Sequence, residues 1–147
     1  MSFSRTSRLL GPAFEHATVA DAMRTGIISC SSDTSVRAIA EIMAGYHVHA
    51  VVVETVPKGG GAGSSWGIVS DLELARAASR GELDSTAGEL AASSADVVAP
   101  TDSLRHAARL MSDRGVSHLI VAAEPGARPA GIISTLDLAM ALAWGTG

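Results

Sequence analysis

A serine and an aspartate one helical turn apart, Ser134 and Asp137, are the residues of this chain best suited to bind a ligand. They follow an apolar, β-branched run, so Ser134 is expected where a strand ends and a helix begins. Unpaired backbone N–H groups and the helix dipole make such a junction an anion site. The serine hydroxyl adds a donor for a phosphate oxygen, and the carboxylate can accept from both hydroxyls of a ribose. Alternatively, Ser134 only caps the helix and Asp137 is a favourable acid in its first turn.

A second pair, Ser70 and Glu73, occupies the corresponding place 64 positions earlier (70 against 134). Glutamate is longer by one methylene, which moves the carboxylate by about 1.5 Å. Asp71, where the other pair has Thr135, adds a negative charge that opposes phosphate binding. We therefore expect asymmetric occupancy, with the Asp137 site the better one.

Both pairs belong to an internal repeat. Residues 35–43 (SVRAIAEIM) return at 103–111 (SLRHAARLM), 68 positions later, and residues 67–75 return at 131–139, 64 positions later. Each copy predicts the order helix, strand, helix, strand, strand, helix. A repeated unit of this kind usually cannot bury its apolar face alone and packs on its copy. The sequence thus predicts one pseudo-symmetric module of the α/β class, with an arm over 1–16, a first copy over 17–80 and a second over 81–147.

The central helix of each copy is predicted from apolar residues at positions i, i+3, i+4 and i+7. These stripes are Val36, Ile39, Ala40 and Met43, and then Leu104, Ala107, Ala108 and Met111. Asp33 or Thr34 is expected to start the first helix, Thr101 or Asp102 the second, and Gly45 to end the first. The predicted strands cover 27–29, 48–53 and 66–69, and then 97–98, 118–122 and 130–133. A flexible glycine-rich turn is expected over 58–65.

Composition excludes several classes of function. The chain has 147 residues, 47% hydrophobic, 18% charged and 3% aromatic, which suits one domain with an aliphatic core. A net charge of −4 gives no electrostatic reason to expect nucleic acid or an anionic membrane as a partner. The arm carries Arg5 and Arg8 and is expected to be a mobile terminus or a docking segment. No apolar run approaches the roughly 20 residues of a membrane span, and no signal-peptide core is present, so a cytoplasmic protein is expected.

Enzymatic motifs are also missing. The sequence around Ser70 lacks the Gly-x-Ser-x-Gly form of a nucleophile elbow, and the glycines after Lys58 lack the Gly-Lys-Ser/Thr end of a phosphate-binding loop. Cys30 is the single cysteine, which excludes an intrachain disulfide, and no base can be paired with it. His47 and His49 share a strand face, but two ligands make a poor metal site. We therefore expect neither an enzyme, a cofactor nor a bound metal.

The two copies, each ending in Gly-hydrophobic-hydrophobic-Ser-x-x-(Asp/Glu) at a helix start, resemble a tandem pair of CBS domains, or Bateman module, over about 18–144. The resemblance implies two small three-stranded sheets packed with helices. It also implies a regulatory module that binds AMP, ADP or ATP, less often NAD or S-adenosylmethionine, in clefts between the repeats. Such pairs usually associate as dimers, so a homodimer and an unidentified regulated protein are the expected partners.

The resemblance also assigns roles to single residues. It gives Ser134 to phosphate and Asp137 to ribose, with Thr135 beside them. His49 and His118, taken as matching positions, would face the phosphates as imidazoles or be surface histidines, and Arg114 or Arg76 could be the basic partner. The adenine would lie against one residue set in each copy: Ile28, Ser29 and Val48 in the first, and Asp96, Val97 and Val116 in the second. The alternative function is a structural or protein-interaction module without a physiological nucleotide.

Overall fold

The computed structural model describes residues 14–57, 59, 63–91 and 96–145. Its elements are a 3-10 turn at Phe14–His16, α1 (Val19–Ala22), β1 (Ser29–Ser31), α2 (Val36–Tyr46), β2 (Ala50–Thr55), β3 (Ser65–Ser70), α3 (Asp71–Ser79), α4 (Ala87–Leu90), β4 (Val97–Val98), α5 (Leu104–Arg114), β5 (His118–Val121), β6 (Gly131–Ser134) and α6 (Thr135–Trp144). Arg5 and Arg8 of the expected arm, and residues 58 and 60–62 of the expected glycine-rich turn, lie outside the described residues.

Two three-stranded sheets of the same topology form the fold, which confirms the predicted class. In the first, β1 pairs with β2 in parallel and β2 with β3 antiparallel. In the second, β4 pairs with β5 in parallel and β5 with β6 antiparallel. The strand predicted over 27–29 begins two residues later, at Ser29, because the register with β2 starts there.

The central helices start one or two residues later than predicted. Ser35 and Ser103, rather than the acidic or threonine residues before them, are the N-caps, because their hydroxyls accept from the backbone N–H groups three residues on, at 3.1 and 3.0 Å. The expected end at Gly45 is also wrong. The helix α2 continues to Tyr46, and His47 closes it in the left-handed conformation with a φ of 54°.

Each sheet buries one face against its own helices. The first copy's stripe places Val36, Ile39 and Met43 in the interior, but Ala40 is exposed, so the buried stripe is narrower than predicted. In the second copy Leu104, Ala107 and Met111 are buried and Ala108 is half-buried. The sequence period therefore identifies the buried face of both helices.

The compact units of the structure do not coincide with the sequence copies. One, the continuous unit, is Ile27–Ala95, and the other, the discontinuous unit, joins Met1–Gly26 to Asp96–Gly147. Each unit therefore takes its first short helix from the other copy. The continuous unit contains α4, where Ala87 is fully buried and donates its N–H to the Thr34 carbonyl at 2.7 Å.

The discontinuous unit repeats this arrangement with α1. Val19 is fully buried there and donates its N–H to the Asp102 carbonyl at 2.8 Å. These residues stand 68 positions from Ala87 and Thr34 (19 against 87, 34 against 102), so the exchange obeys the internal symmetry of the sequence. None of the helices in the described part of the chain has the length and apolar character needed to span a membrane.

Candidate ligand-binding site

Ser134 and Asp137 form a closed hydrogen-bonded pair at the start of α6. One carboxylate oxygen, Oδ2, accepts from the Ser134 N–H at 2.8 Å and from its hydroxyl at 3.0 Å. In return, the serine Oγ accepts from the Asp137 N–H at 3.2 Å. The pair is a complete capping box, and only 5% of the Asp137 side chain is exposed.

The other carboxylate oxygen of Asp137 is paired with Arg24. The guanidinium Nε lies 3.2 Å from Oδ1, although the two residues are 113 positions apart. The Arg24 backbone forms a two-bond bridge with Ile132, donating at 2.9 Å and accepting at 3.0 Å, and so adds a short fourth segment to the edge of β6. A carboxylate, a hydroxyl and a guanidinium therefore meet at one strand end.

An apolar row leads across the sheet from this cluster. Val97, Ile120 and Ile132 are direct partners on neighbouring strands, and Arg24 continues the row beyond Ile132. Directly paired residues project to the same face of a sheet, and their strand neighbours project to the opposite one. The neighbours Leu119, Val121 and Ile133 belong to the core cluster, so the row lies on the other face.

His118 belongs to the same face as this row because it pairs with Ser134. The expected match between His49 and His118 is wrong, however. In the other sheet the residue that pairs with Ser70 is Ala50, so Ala50 is the counterpart of His118.

His49 instead corresponds to Ser117. The His49 carbonyl accepts from the Asp71 N–H at 2.9 Å, as the Ser117 carbonyl accepts from the Thr135 N–H at 3.0 Å. The His49 ring Nδ1 lies 3.0 Å from a carboxylate oxygen of Asp71, and the His118 Nδ1 lies 2.8 Å from the Ser117 hydroxyl. Adjacent strand positions face opposite ways, so the two histidines are not equivalent.

The remaining residues assigned to the second copy lie at different places in the discontinuous unit. Asp96 accepts the Ile120 N–H on its carbonyl at 3.2 Å, and its carboxylate lies 3.8 Å from the Arg114 Nε. Val97 is half-buried, Val116 is 36% exposed after the end of α5, and Thr135 is an exposed first residue of α6. Among these, Val97 shares the face of Ser134.

The continuous unit has its own version of the cluster. Glu73 Oε1 accepts from the Ser70 N–H at 2.7 Å and from its hydroxyl at 2.6 Å, so the longer side chain closes the same capping box. Its cation is Arg76, on the same helix and 3.8 Å from Oε2. The Glu73 side chain is 25% exposed, against 5% for Asp137. This carboxylate is more open and less closely paired.

The apolar residues assigned to the first copy separate in the structure. Ser29 pairs with Val52, and Ile28 accepts the Val52 N–H at 2.9 Å, so both lie along the first sheet next to its central strand. Val48, in contrast, packs against the apolar cluster of its own unit. Its expected contact with a ligand therefore has no support in the fold.

Comparison with known families agrees with this architecture. The model of the CBS domain matches residues 19–80 and 87–143, which together cover most of the chain. The chain belongs to the CBS-domain family. CBS domains are generally regulatory, non-catalytic modules. No curated protein matches the chain in a sequence comparison.

Solved CBS structures share the fold. A CBS domain protein from Pyrobaculum aerophilum complexed with AMP is 23% identical, with a TM-score of 0.70, covering 83% of this chain and 90% of that one. A hexameric CBS-CP12 protein from bloom-forming cyanobacteria is 20% identical, with a TM-score of 0.73, covering 86% and 71%. The CBS domain pair of protein MJ0100, in complex with 5′-methylthioadenosine and S-adenosyl-L-methionine, is 20% identical, with a TM-score of 0.68, covering 84% and 93%.

The residue that sequence reasoning missed in this CBS module is Arg24. The sequence offers Arg114 or Arg76 as a possible basic partner for phosphate, but Arg24 is the arginine that reaches the buried carboxylate of Asp137. In the sequence, Arg24 is marked only by its position two residues after α1. That position points to Asp137 only once it is known that α1 belongs to the unit that contains the second copy's sheet. Within the described residues, no group of three or more His, Cys, Asp or Glu side chains is arranged to hold a metal ion.

Proposed function

We propose that the discontinuous unit binds an adenine nucleotide of the AMP, ADP or ATP class and that the module signals its presence to a partner protein. The observation that carries the proposal is the cluster of Asp137, Ser134 and Arg24, in which a carboxylate for ribose hydroxyls lies beside two donors for phosphate. The start of α6 adds the N-terminal helix dipole, which favours an anion there. His118 and Val97, on the face of Ser134, are the proposed lining.

The ligands of similar structures support the adenosine part of this proposal. AMP, 5′-methylthioadenosine and S-adenosyl-L-methionine, bound to the two proteins above, all contain adenosine. The adenosine ribose presents a diol from which a buried carboxylate can accept, and the guanidinium of Arg24 is a donor beside it. The Glu73 site of the continuous unit is the weaker one, because its carboxylate is more exposed and Asp71 stands beside it.

Signalling requires that the ligand bind one conformation of the module better than another, since only differential affinity shifts a population. We propose a homodimer as the signalling form. Leu136, Met140 and Trp144 stand four residues apart along α6 and are 52%, 39% and 57% exposed, an apolar stripe that a second copy would cover. Light scattering of the purified chain tests this, and a monomer at all concentrations would contradict it.

The test of binding is a thermal-shift titration with AMP, ADP, ATP, NAD and S-adenosylmethionine. A ligand at one hundred times its Kd stabilises the folded state by about 2.7 kcal/mol, which raises the Tm measurably. We expect a selective rise with an adenine nucleotide, which Asp137→Ala abolishes and Glu73→Ala reduces far less. Equal effects of the two substitutions would contradict the assignment of the site.

One observation favours a second function, an interaction module without a physiological nucleotide. Both carboxylates already have protein partners, Ser134 and Arg24 in one unit, Ser70 and Arg76 in the other, so neither needs a ligand to be satisfied. Unchanged Tm with all five compounds would favour this function and direct the search to a protein partner.

A further inference from the structure

We infer that Arg24 makes the Asp137 site selective for phosphorylated over unphosphorylated adenosine compounds, because it holds the carboxylate until an anionic group draws it away. The inference rests on the proposed function and names the residue that decides the ligand class. It follows from three properties of the described contacts: the number of donors on Asp137, the attachment of Arg24, and the difference in exposure between the two side chains.

The Asp137 carboxylate has too few free acceptor positions to bind both hydroxyls of a ribose. A carboxylate offers about four acceptor positions. Three donors already use them: the N–H and hydroxyl of Ser134 on Oδ2, and the Arg24 Nε on Oδ1. The two hydroxyls of a ribose need two positions, so a ligand that uses both must displace one of these donors. Arg24 is the one of the three that does not belong to the capping box at the start of α6.

The Arg24 backbone is fixed while its side chain extends into solvent. The bridge to Ile132 fixes the backbone, and Gly131 permits the close approach, because a Cβ there would lie 2.3 Å from the Arg24 carbonyl oxygen. The Arg24 side chain is nevertheless 66% exposed. The bond to Asp137 uses the guanidinium Nε, and the two Nη groups are the donors that we assign to an incoming anion. A displaced guanidinium would stay within reach of the site.

The energetic consequence differs between ligand classes. Separating Arg24 from a carboxylate that is 5% exposed leaves a buried charge without its cation. A nucleoside supplies only neutral hydroxyls in exchange. A nucleotide also supplies a phosphate, with which a guanidinium forms charge-assisted and frequently bidentate hydrogen bonds. The released arginine thus gains a new partner only when the ligand is phosphorylated.

The pairing of the junction carboxylate with an arginine that follows the first short helix occurs in one of the two copies. The sequence has Ala92 at 68 positions after Arg24, so the second copy supplies no arginine at the corresponding place. Glu73 is paired instead with Arg76 of its own helix, at the longer distance of 3.8 Å. Selectivity of this origin therefore belongs to the Asp137 site.

The experiment is calorimetric titration of the full chain with AMP and with adenosine, for the wild type, Arg24→Ala, Arg24→Lys and Arg105→Ala. Arg105 is exposed on α5, so its substitution removes the same charge away from the site. We expect Arg24→Ala to weaken AMP binding and strengthen adenosine binding, lowering the preference for AMP by about tenfold or more. Arg24→Lys keeps the charge and retains part of the preference, and Arg105→Ala leaves it unchanged.

An unchanged AMP preference in Arg24→Ala would overturn the inference alone. If that unchanged preference came with an equal loss of affinity for both compounds, the role of Arg24 would be merely structural. Circular dichroism establishes that each variant is folded, and Arg24→Lys carries the comparison if the alanine variant is not. Failure of the wild type to bind any adenosine compound is a different result, which overturns the proposed function and this inference with it.

Discussion

Each of the two strand-to-helix junctions joins a carboxylate to a serine and an arginine. At both, the acid closes a capping box with the serine, an interaction that typically contributes about 1 kcal/mol to helix stability. The arginines differ in origin, since Arg76 lies on the same helix as its acid and Arg24 comes from the far end of the sequence. The same serine and carboxylate atoms that form the cap are therefore the ones that the proposed binding site would use.

Local spacing in the sequence predicts some residues of the candidate site and misses others. Spacing identifies Ser134 and Asp137 because both lie within one helical turn. Arg24 is 113 positions from its partner, and no local pattern connects them. The offset of 68 positions aligns His49 with Ser117 and Ala50 with His118, as the strand register does, so matching the two histidines to each other inserts one extra residue into the repeat.

Cys30 offers a prediction with a defined pH dependence. Burial raises the pKa of this thiol, the neighbouring Asp33 carboxylate raises it further, and a hydrogen bond with Thr34 lowers it in part. The folded protein therefore holds less thiolate at pH 8 than the unfolded chain. We expect iodoacetamide to react with the folded chain more slowly, with the rate rising at a higher pH than in urea.

The sign for stability follows from the same shift. The folded thiol binds its proton more tightly than the unfolded one, so this contribution to the free energy of unfolding is complete below the unfolded pKa and falls as pH rises through the folded value. Because Cys30 is the only cysteine, the alkylation rate reports it alone. Asp33→Asn should shift the rate profile toward lower pH, and coincident folded and unfolded profiles would contradict the prediction.

At the scale of elements, the period of apolar residues predicts which face of a helix is buried but not the residue at which the helix ends. The stripes identify the buried faces of α2 and α5, but the caps depend on single backbone conformations. His47 closes α2 with a positive φ, where the other copy has Gly115 at a φ of 64° (47 against 115, 68 positions apart). Gly45 is the residue at which the sequence predicts the end of α2. The helix instead continues through Gly45 to Tyr46, and His47 is its C-cap.

The left-handed residue is a site where stability can be changed predictably. A non-glycine residue in this conformation costs about 1 kcal/mol relative to glycine. We expect His47→Gly to raise the free energy of unfolding in urea by about this amount and Gly115→Ala to lower it similarly. Gly45→Ala is the matched control, because a Cβ there has nothing within 4 Å and only helix propensity changes, raising stability by up to about 1 kcal/mol. A loss of stability in His47→Gly would refute this account of the cap.

At the scale of the whole molecule, the order of elements was predictable and their grouping was not. The repeat predicts two equal sets of elements, and the structure has them. The repeat cannot show that α1 packs with the sheet of the second copy and α4 with that of the first, because either arrangement satisfies the same periodicity. The exchanged helices also bring Arg24 to Asp137 and so complete the candidate site.

The exchange predicts which fragment of the chain folds by itself. A fragment of residues 27–95 keeps α4, whose Ala87 is fully buried in the cluster with Ile39 and Val51. A fragment of residues 17–80, which follows the sequence copy, loses α4 and retains α1 without the partners it has in the other unit. We expect cooperative thermal unfolding by circular dichroism for 27–95 and a broad transition, or none, for 17–80. The fragments are nearly equal in length, so general size effects on stability affect both alike. If 17–80 unfolds as cooperatively and at as high a temperature as 27–95, the short helices do not determine the folding units.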